Sequence, residues 1–316
     1  MSTEPITRPQ PSTVVAAVPE RRERRPRRFG GERRFGWGMT VPTLAALAAV
    51  VAFPLLFALW VSVHDYDLTE GGIGAFIGGA NYARTLTDDL IATAATNTAV
   101  YSAGVVAIEL LLALGLALLL NQPGLRFRGV YLAILLIPLL VSPIAVGLIW
   151  RLLLHPDLGA VNWVLGGLGL PPQEWLAGRA SAMPTVIGID VWHETSLMIV
   201  IILAGLTALP RDPVEAAMVD GASRWQVLRT ITLPLLAPVL LVAVMIRLIA
   251  AMKTYDLIYI LTRGGPGSAT ETISYSIWKS AFTTLEMGRA AAASFLLLLV
   301  ILLLSVLLVR VSREGA

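Results

Sequence analysis

Asp190, His193 and Glu194 stand at i, i+3 and i+4 in a stretch of otherwise mostly apolar residues, and Lys253, Thr254 and Asp256 close a second such stretch. On a helix that spacing puts the first three on one face within about one turn. Charged and polar groups in such stretches face protein or water, so all six residues are candidates for a solute path, in which the carboxylates could accept hydrogen bonds from hydroxyl groups. Metal chemistry is a poor fit. His193-Glu194 opens like the helix of a zinc protease, but Leu197 stands where the second His is required, and the chain has only three His. Its two lysines, Lys253 and Lys279, do not follow a Gly, so no phosphate-binding loop exists and no ATP is expected to bind here. Without cysteine, disulfides and thiolate nucleophiles are excluded as well. No nucleophile and base recur at a recognisable spacing, which disfavours an enzyme, so neither metal nor cofactor is expected.

Two further charges, Glu109 and Arg247, lie inside apolar stretches. A charge at mid-bilayer costs at least about 2.5 kcal/mol, so such groups face protein or water. For these two, a buried pair or a bond to backbone outweighs contact with solute.

The elements that position these residues are spans of a membrane. Of the 316 residues 56% are hydrophobic and 14% charged, and the mean hydropathy is +0.74, which a solvated globular surface could hardly sustain. Six apolar stretches reach the length a span needs, at about 40–63, 97–120, 130–153, 182–208, 235–252 and 289–309. An all-α membrane protein of six transmembrane helices follows. The first stretch is too long for a secretory signal and reads as a signal anchor, kinked at Pro54.

Before it, residues 1–37 are rich in Arg and Pro and too poor in apolar surface to fold, which suggests a disordered arm drawn to anionic membrane lipid rather than to nucleic acid. Sixteen of the 24 Lys and Arg fall on the side of the amino terminus and seven on the other, which predicts both termini in the cytoplasm. The organisation that results is the arm 1–37, a first span with its external loop over 38–96, a five-span core over 97–311, and a cytoplasmic tail over 312–316. External segments fall at about 64–96, 154–181 and 253–288. Trp163, Trp175, Trp192 and Trp278 sit near the expected interfaces and read as an aromatic belt.

One cytoplasmic segment, 209–234, carries more punctuation than a connector needs. Asp212 can cap a helix, Pro213 suits its first position, and Glu215 can complete a capping box. Gly221 permits the left-handed turn that ends it, and a second helix can start at Ser223. Val214, Ala217 and Met218 then share an apolar face that something must cover. The residues alone leave open whether this is a docking element or an ordered loop.

Glu215-Ala216-Ala217, Gly221 six residues after the Glu, then Ile231, Leu233 and Pro234 resemble, at full spacing, the EAA motif of permease subunits in binding-protein-dependent ABC importers. The resemblance extends over roughly residues 40–316 and implies the type I importer permease fold. It also implies that Glu215, Ala216, Ala217, Asp220, Gly221, Leu233 and Pro234 couple the chain to a separate ATPase, which binds the ATP. Phe76-Ile77-Gly78-Gly79-Ala80-Asn81-Tyr82, with Gly79 where Leu is usual, resembles the first external loop of the carbohydrate-uptake branch, the maltose and glycerol-phosphate type. Asp256 to Pro266, with Thr270 and Ala281-Phe282, resembles its last.

That branch implies a multi-pass permease of the inner (plasma) membrane for a sugar, polyol or sugar phosphate. Its partners would be a second homologous permease, ABC ATPase subunits and an extracytoplasmic solute-binding protein. At Asp190 and Glu194 the chain has carboxylates where neutral amides are expected in the branch. The competing class is an ion-coupled secondary transporter, whose intramembrane polar groups would bind protons or sodium.

Overall fold

The computed structural model describes residues 30–314. Helix dominates, because backbone in lipid must satisfy its hydrogen bonds within its own segment. The chain divides into two units at Leu55. Among the described residues the first unit is the larger part of α1 (Gly30–Ser62), which runs unbroken through Pro42 and Pro54. Its Val50 and Phe53 are exposed, as on a lipid-facing span. The arm expected over 1–37 lies outside the described residues as far as residue 29. From Gly30 onward its residues form the first turns of α1.

The second unit opens with a small antiparallel hairpin of β1 (His64–Asp67) and β2 (Gly72–Phe76), a local departure from the all-α reading that lies outside the spans. Next come α2 (Ala80–Leu86) and the long α3 (Asp89–Leu120), capped by the Asp88 carboxylate accepting from the amide of Leu90. Asn81 Nδ2 donates to the carbonyls of Ser62 and His64, tying α2 to the end of α1.

The stretch expected as one span over 130–153 is broken. It forms α4 (Arg128–Leu136), a single 3-10 turn at Pro138–Leu140, and α5 (Pro143–Leu153). Pro143 lacks an amide proton and drives Ser142 to an extended ψ of 146°, so the helix must restart there, with the Ser142 hydroxyl accepting from the amide of Ala145. Then follow α6 (Ala160–Gly167) and α7 (Ala182–Ala208). The 209–234 segment holds α8 (Asp212–Val219), α9 (Arg224–Val227) and a π turn over Leu228–Thr232. After α10 (Leu233–Met252) come two short helices, α11 (Asp256–Leu261) and α12 (Ile273–Phe282), and finally α13 (Met287–Glu314), which includes the first residues of the expected tail.

Five of these helices are long and apolar enough to cross a membrane, and the broken 128–153 segment makes the sixth span. The helix α7 is the hub: it packs along α3 and α10 and is buried on most sides, from Val186 to Leu206. Close approach depends on small residues. Ala113 and Ala117 of α3 are fully buried, and a Cβ at Gly205 of α7 would come within 2.7 Å of Val239 on α10. Opposite faces, such as Leu111 and Leu119 of α3, stay exposed to lipid.

Candidate functional site

Where α3, α7 and α10 meet, Arg247 of α10 is 2% exposed, in surroundings that cannot hydrate a guanidinium. Two carboxylates compensate. Its Nε donates to Glu109 Oε2 at 2.6 Å and its Nη2 to Glu109 Oε1 at 3.0 Å, a two-pronged contact with α3. Nη2 also donates to Asp190 Oδ2 of α7. One guanidinium thus ties three spans together. Of the two alternatives expected for Glu109 and Arg247, the buried pair is the one that forms. Asp190, read as a hydroxyl acceptor, instead has its carboxylate committed to Arg247.

Beside this triad opens a cavity of about 280 Å³. All six solute-path candidates line it: Asp190, His193 and Glu194 from α7, and Lys253, Thr254 and Asp256 from the break between α10 and α11. The i, i+3, i+4 face therefore lines one cavity together with the residues that follow the end of α10 at Met252. Thr254 bonds back to the carbonyl of Ala250, and Asp256 Oδ1 accepts from the amide of Leu257, its other oxygen having no partner among the described residues.

His193 has a second task. Its Nε2 lies 2.9 Å from the carbonyl oxygen of Val141 and its Nδ1 lies 3.2 Å from Glu194 Oε1. Both neighbours are acceptors, and a neutral ring has one N–H, so serving both takes the imidazolium. One turn further on, the Ser196 hydroxyl donates to the carbonyl of Leu135. These two side chains satisfy carbonyls that the break in the 128–153 span leaves without helical partners. Sequence reasoning missed this clip, whose only signal was a Ser inside an apolar run. It also missed Asn97, whose Nδ2 donates to the carbonyls of Ser268 and Glu271 and fastens the 262–272 loop to α3. That loop folds on its own bonds, Thr262 to Thr270 and Thr270 to the carbonyl of Gly265.

The 209–234 segment forms two short helices on either side of Gly221, whose φ of +84° is the left-handed turn expected there. The expected Asp212–Glu215 capping box does not form. The helix starts one residue earlier, with Arg211 at the cap and its carbonyl accepting from the amide of Glu215. Asp212 therefore sits in the first turn, where a negative charge still favours the helix dipole. The box occurs on α9 instead, between Ser223 and Gln226.

Glu215 is exposed and its side chain makes no bond among the described residues; Ala216 and Asp220 are exposed beside it, and Leu233 and Pro234 open α10. The apolar face differs from the one expected. Val214 and Ala217 are half-buried, whereas Met218 is 51%, Val219 87% and Trp225 68% exposed.

The tryptophans divide. Trp163 is exposed, as a belt residue would be, but Trp175 Nε1 donates to Asn162 and Trp278 stacks on Tyr255 at 6.4 Å.

Comparison with known proteins places this geometry in context. The family described as "Binding-protein-dependent transport system inner membrane component" matches residues 109–314. The trehalose/maltose transport system permease protein of Thermococcus litoralis is 40% identical over 243 residues, 77% of this chain and 82% of that one. The sulfoquinovosyl glycerol transport system permease protein of Agrobacterium fabrum is 32% identical, over 90% of this chain and 92% of that one. Among solved structures, a chain of a bacterial ABC transporter that imports the acidic polysaccharide alginate superposes with a TM-score of 0.79. It is 22% identical and covered over 96% of its length by 90% of this chain.

Proposed function

The chain belongs to the family of inner-membrane components of binding-protein-dependent transport systems, and from that premise we propose that it is a permease subunit of an ATP-driven importer for a sugar-like solute. As a transport component, it is not an enzyme. It forms part of the translocation path, with the cavity between α7 and α10 as the place where solute passes. A separate ATPase burns the nucleotide, an extracytoplasmic binding protein delivers the solute, and a second, homologous permease completes the pore. Both termini and the 209–234 loop lie in the cytoplasm, as the Lys and Arg distribution favours.

The observation that carries this reading is the exposed tip of that loop. Exposed apolar side chains on the spans are explained by lipid, but those of Met218, Val219 and Trp225 are not. They stand among Arg211, Asp212, Glu215, Asp220 and Arg224, charges that keep the segment in water. An apolar tip in water with an unpartnered carboxylate beside it is a protein docking surface. The loop is anchored at both ends by spans, so a shift of the docked ATPase would pass into α7 and α10 as rigid-body movement.

Uptake of labelled trehalose into vesicles containing the complete importer tests the proposal. ATP-dependent uptake that survives a protonophore is expected. Uptake without ATP that the protonophore abolishes would instead identify an ion-coupled carrier.

A further inference from the structure

A second cavity, an open groove of about 350 Å³, lies between α12, α13 and the turn that ends α10. Ile277, Trp278 and Phe282 line it from α12, and Leu297, Leu298 and Ile301 from α13. Phe282 is 66% and Leu298 41% exposed, so these apolar side chains do not close over it. The two serines that also line it are spent: Ser274 donates to the carbonyl of Met252 and Ser294 to that of Ala290. What remains polar stands at one end, where Lys253 and Tyr255 follow the last residue of α10, both exposed. Lys253 is the one charge among the lining residues, it has no ion pair among the described residues, and no carboxylate lines the groove.

Depth gives this end a meaning. The 20 residues of α10 begin beside the 209–234 loop and span about 30 Å, so Lys253 stands near the membrane surface away from that loop. From there the 294–301 stretch of α13 carries the groove about 10 Å toward the middle of the bilayer. An apolar groove at such a depth takes up no water. A lysine there lays its stem on apolar surface and holds its ammonium among the headgroups, and the stacked Tyr255 and Trp278 suit the same level. An apolar helix of another subunit would cover Lys253 and leave its charge unpaired. A phospholipid brings the chain for the groove and the anion for the lysine together.

We propose that this groove binds a membrane phospholipid, with an acyl chain between α12 and α13 and the headgroup phosphate on Lys253 and Tyr255. Phosphatidylglycerol is preferred over phosphatidylcholine, because the ammonium of choline meets the lysine with like charge. Lys253 also borders the solute cavity, so the test reads lipid directly and not uptake.

The complete importer is placed in phosphatidylcholine nanodiscs that contain a trace of photoactivatable phosphatidylglycerol or phosphatidylcholine, each with the same diazirine-bearing acyl chain. Adducts are located by mass after digestion. Labelling over 277–282 and 294–301 should be about fivefold greater with phosphatidylglycerol. At the exposed Leu111 and Leu119 of α3, which meet bulk lipid, the ratio should stay near one. Lys253→Gln should bring the ratio in the groove to about one while labelling at α3 is unchanged, which also reports that the variant is folded. A second variant, Leu298→Trp, fills the groove and should cut labelling of 277–282 severalfold with either lipid. Equal labelling of the wild-type groove by the two lipids overturns the proposal, as does a ratio that survives Lys253→Gln. Labelling at α3 with none over 277–282 and 294–301 overturns it too, and shows that another subunit covers the groove.

Discussion

Arg247 and Glu109, 138 residues apart, form a two-pronged ion pair between α10 and α3 with both side chains at 2% exposure or less, and Asp190 of α7 closes on the same guanidinium. Removing the cation alone leaves two carboxylates buried with nothing to balance them. Breaking such a cluster costs about 3–5 kcal/mol, whereas replacing all its members by uncharged groups of similar size is close to neutral. Arg247→Met should therefore lower the melting temperature of the purified protein sharply, and the triple variant Glu109→Gln, Asp190→Asn, Arg247→Met should recover most of the loss. A triple variant no more stable than Arg247→Met would show that the three do not act as a unit.

His193 and Ser196 hold the carbonyls of Val141 and Leu135 across the break between α4 and α5. An unsatisfied buried carbonyl costs about 1–3 kcal/mol, and here the loss is local to the break. In His193→Ala, hydrogen exchange over 134–146 should quicken at least severalfold, while exchange in α13 stays as it was. Unchanged exchange over that segment would mean that the clip is incidental.

Gly221 sits at φ +84° with open space where a Cβ would project, so conformation rather than crowding selects glycine there. Asn tolerates the left-handed region and β-branched residues do not. Gly221→Asn should keep most of the uptake, and Gly221→Val should abolish it while the spans melt as before. Equal uptake by the two variants would break the link between this turn and transport.

The Glu215 side chain is exposed and makes no bond among the described residues, so it adds little to the fold. Glu215→Lys should leave the stability within about 0.5 kcal/mol of wild type, as surface changes do, yet prevent the ATPase from co-purifying and abolish uptake. Normal co-purification by this variant would remove the carboxylate from the docking surface.

How far the sequence reveals this molecule depends on what kind of signal each feature leaves. The bounds of α7 at Ala182 and Ala208 coincide with the apolar run, because hydropathy is the property that sets a span. The 128–153 stretch is apolar as well and is nonetheless broken, since the break is made by Pro138 and Pro143, and their effect on the backbone does not enter a hydropathy average. The pairing of Glu109 with Arg247 was legible because two lone charges in lipid need each other. That Asp190 joins them was not, because its carboxylate could face Arg247 or the cavity, and only the crossing of α3, α7 and α10 decides. At α8 the alphabet of caps was right and the register off by one, since Pro213 fits the first helical turn from either start.

Asn97 is the last case, a polar residue near the start of the α3 span whose role only the fold reveals. Its amide donates at 2.8 and 2.9 Å to the carbonyls of Ser268 and Glu271, and one residue on, Thr98 Oγ1 accepts from the amide of Ile273. The loop between α11 and α12 is thus fastened to α3 by three bonds to its backbone, at a point where Glu271 is also buried against Lys279. Asn97→Ala removes two of the three, at about 1 kcal/mol each. Asn97→Asp keeps the shape but presents acceptors to acceptors, so it should be the worse of the two. The expected order of melting temperatures is wild type, then Asn97→Ala, then Asn97→Asp, with exchange over 264–273 rising in the same sequence. If Asn97→Asp proves as stable as wild type, the loop is held by something other than this amide.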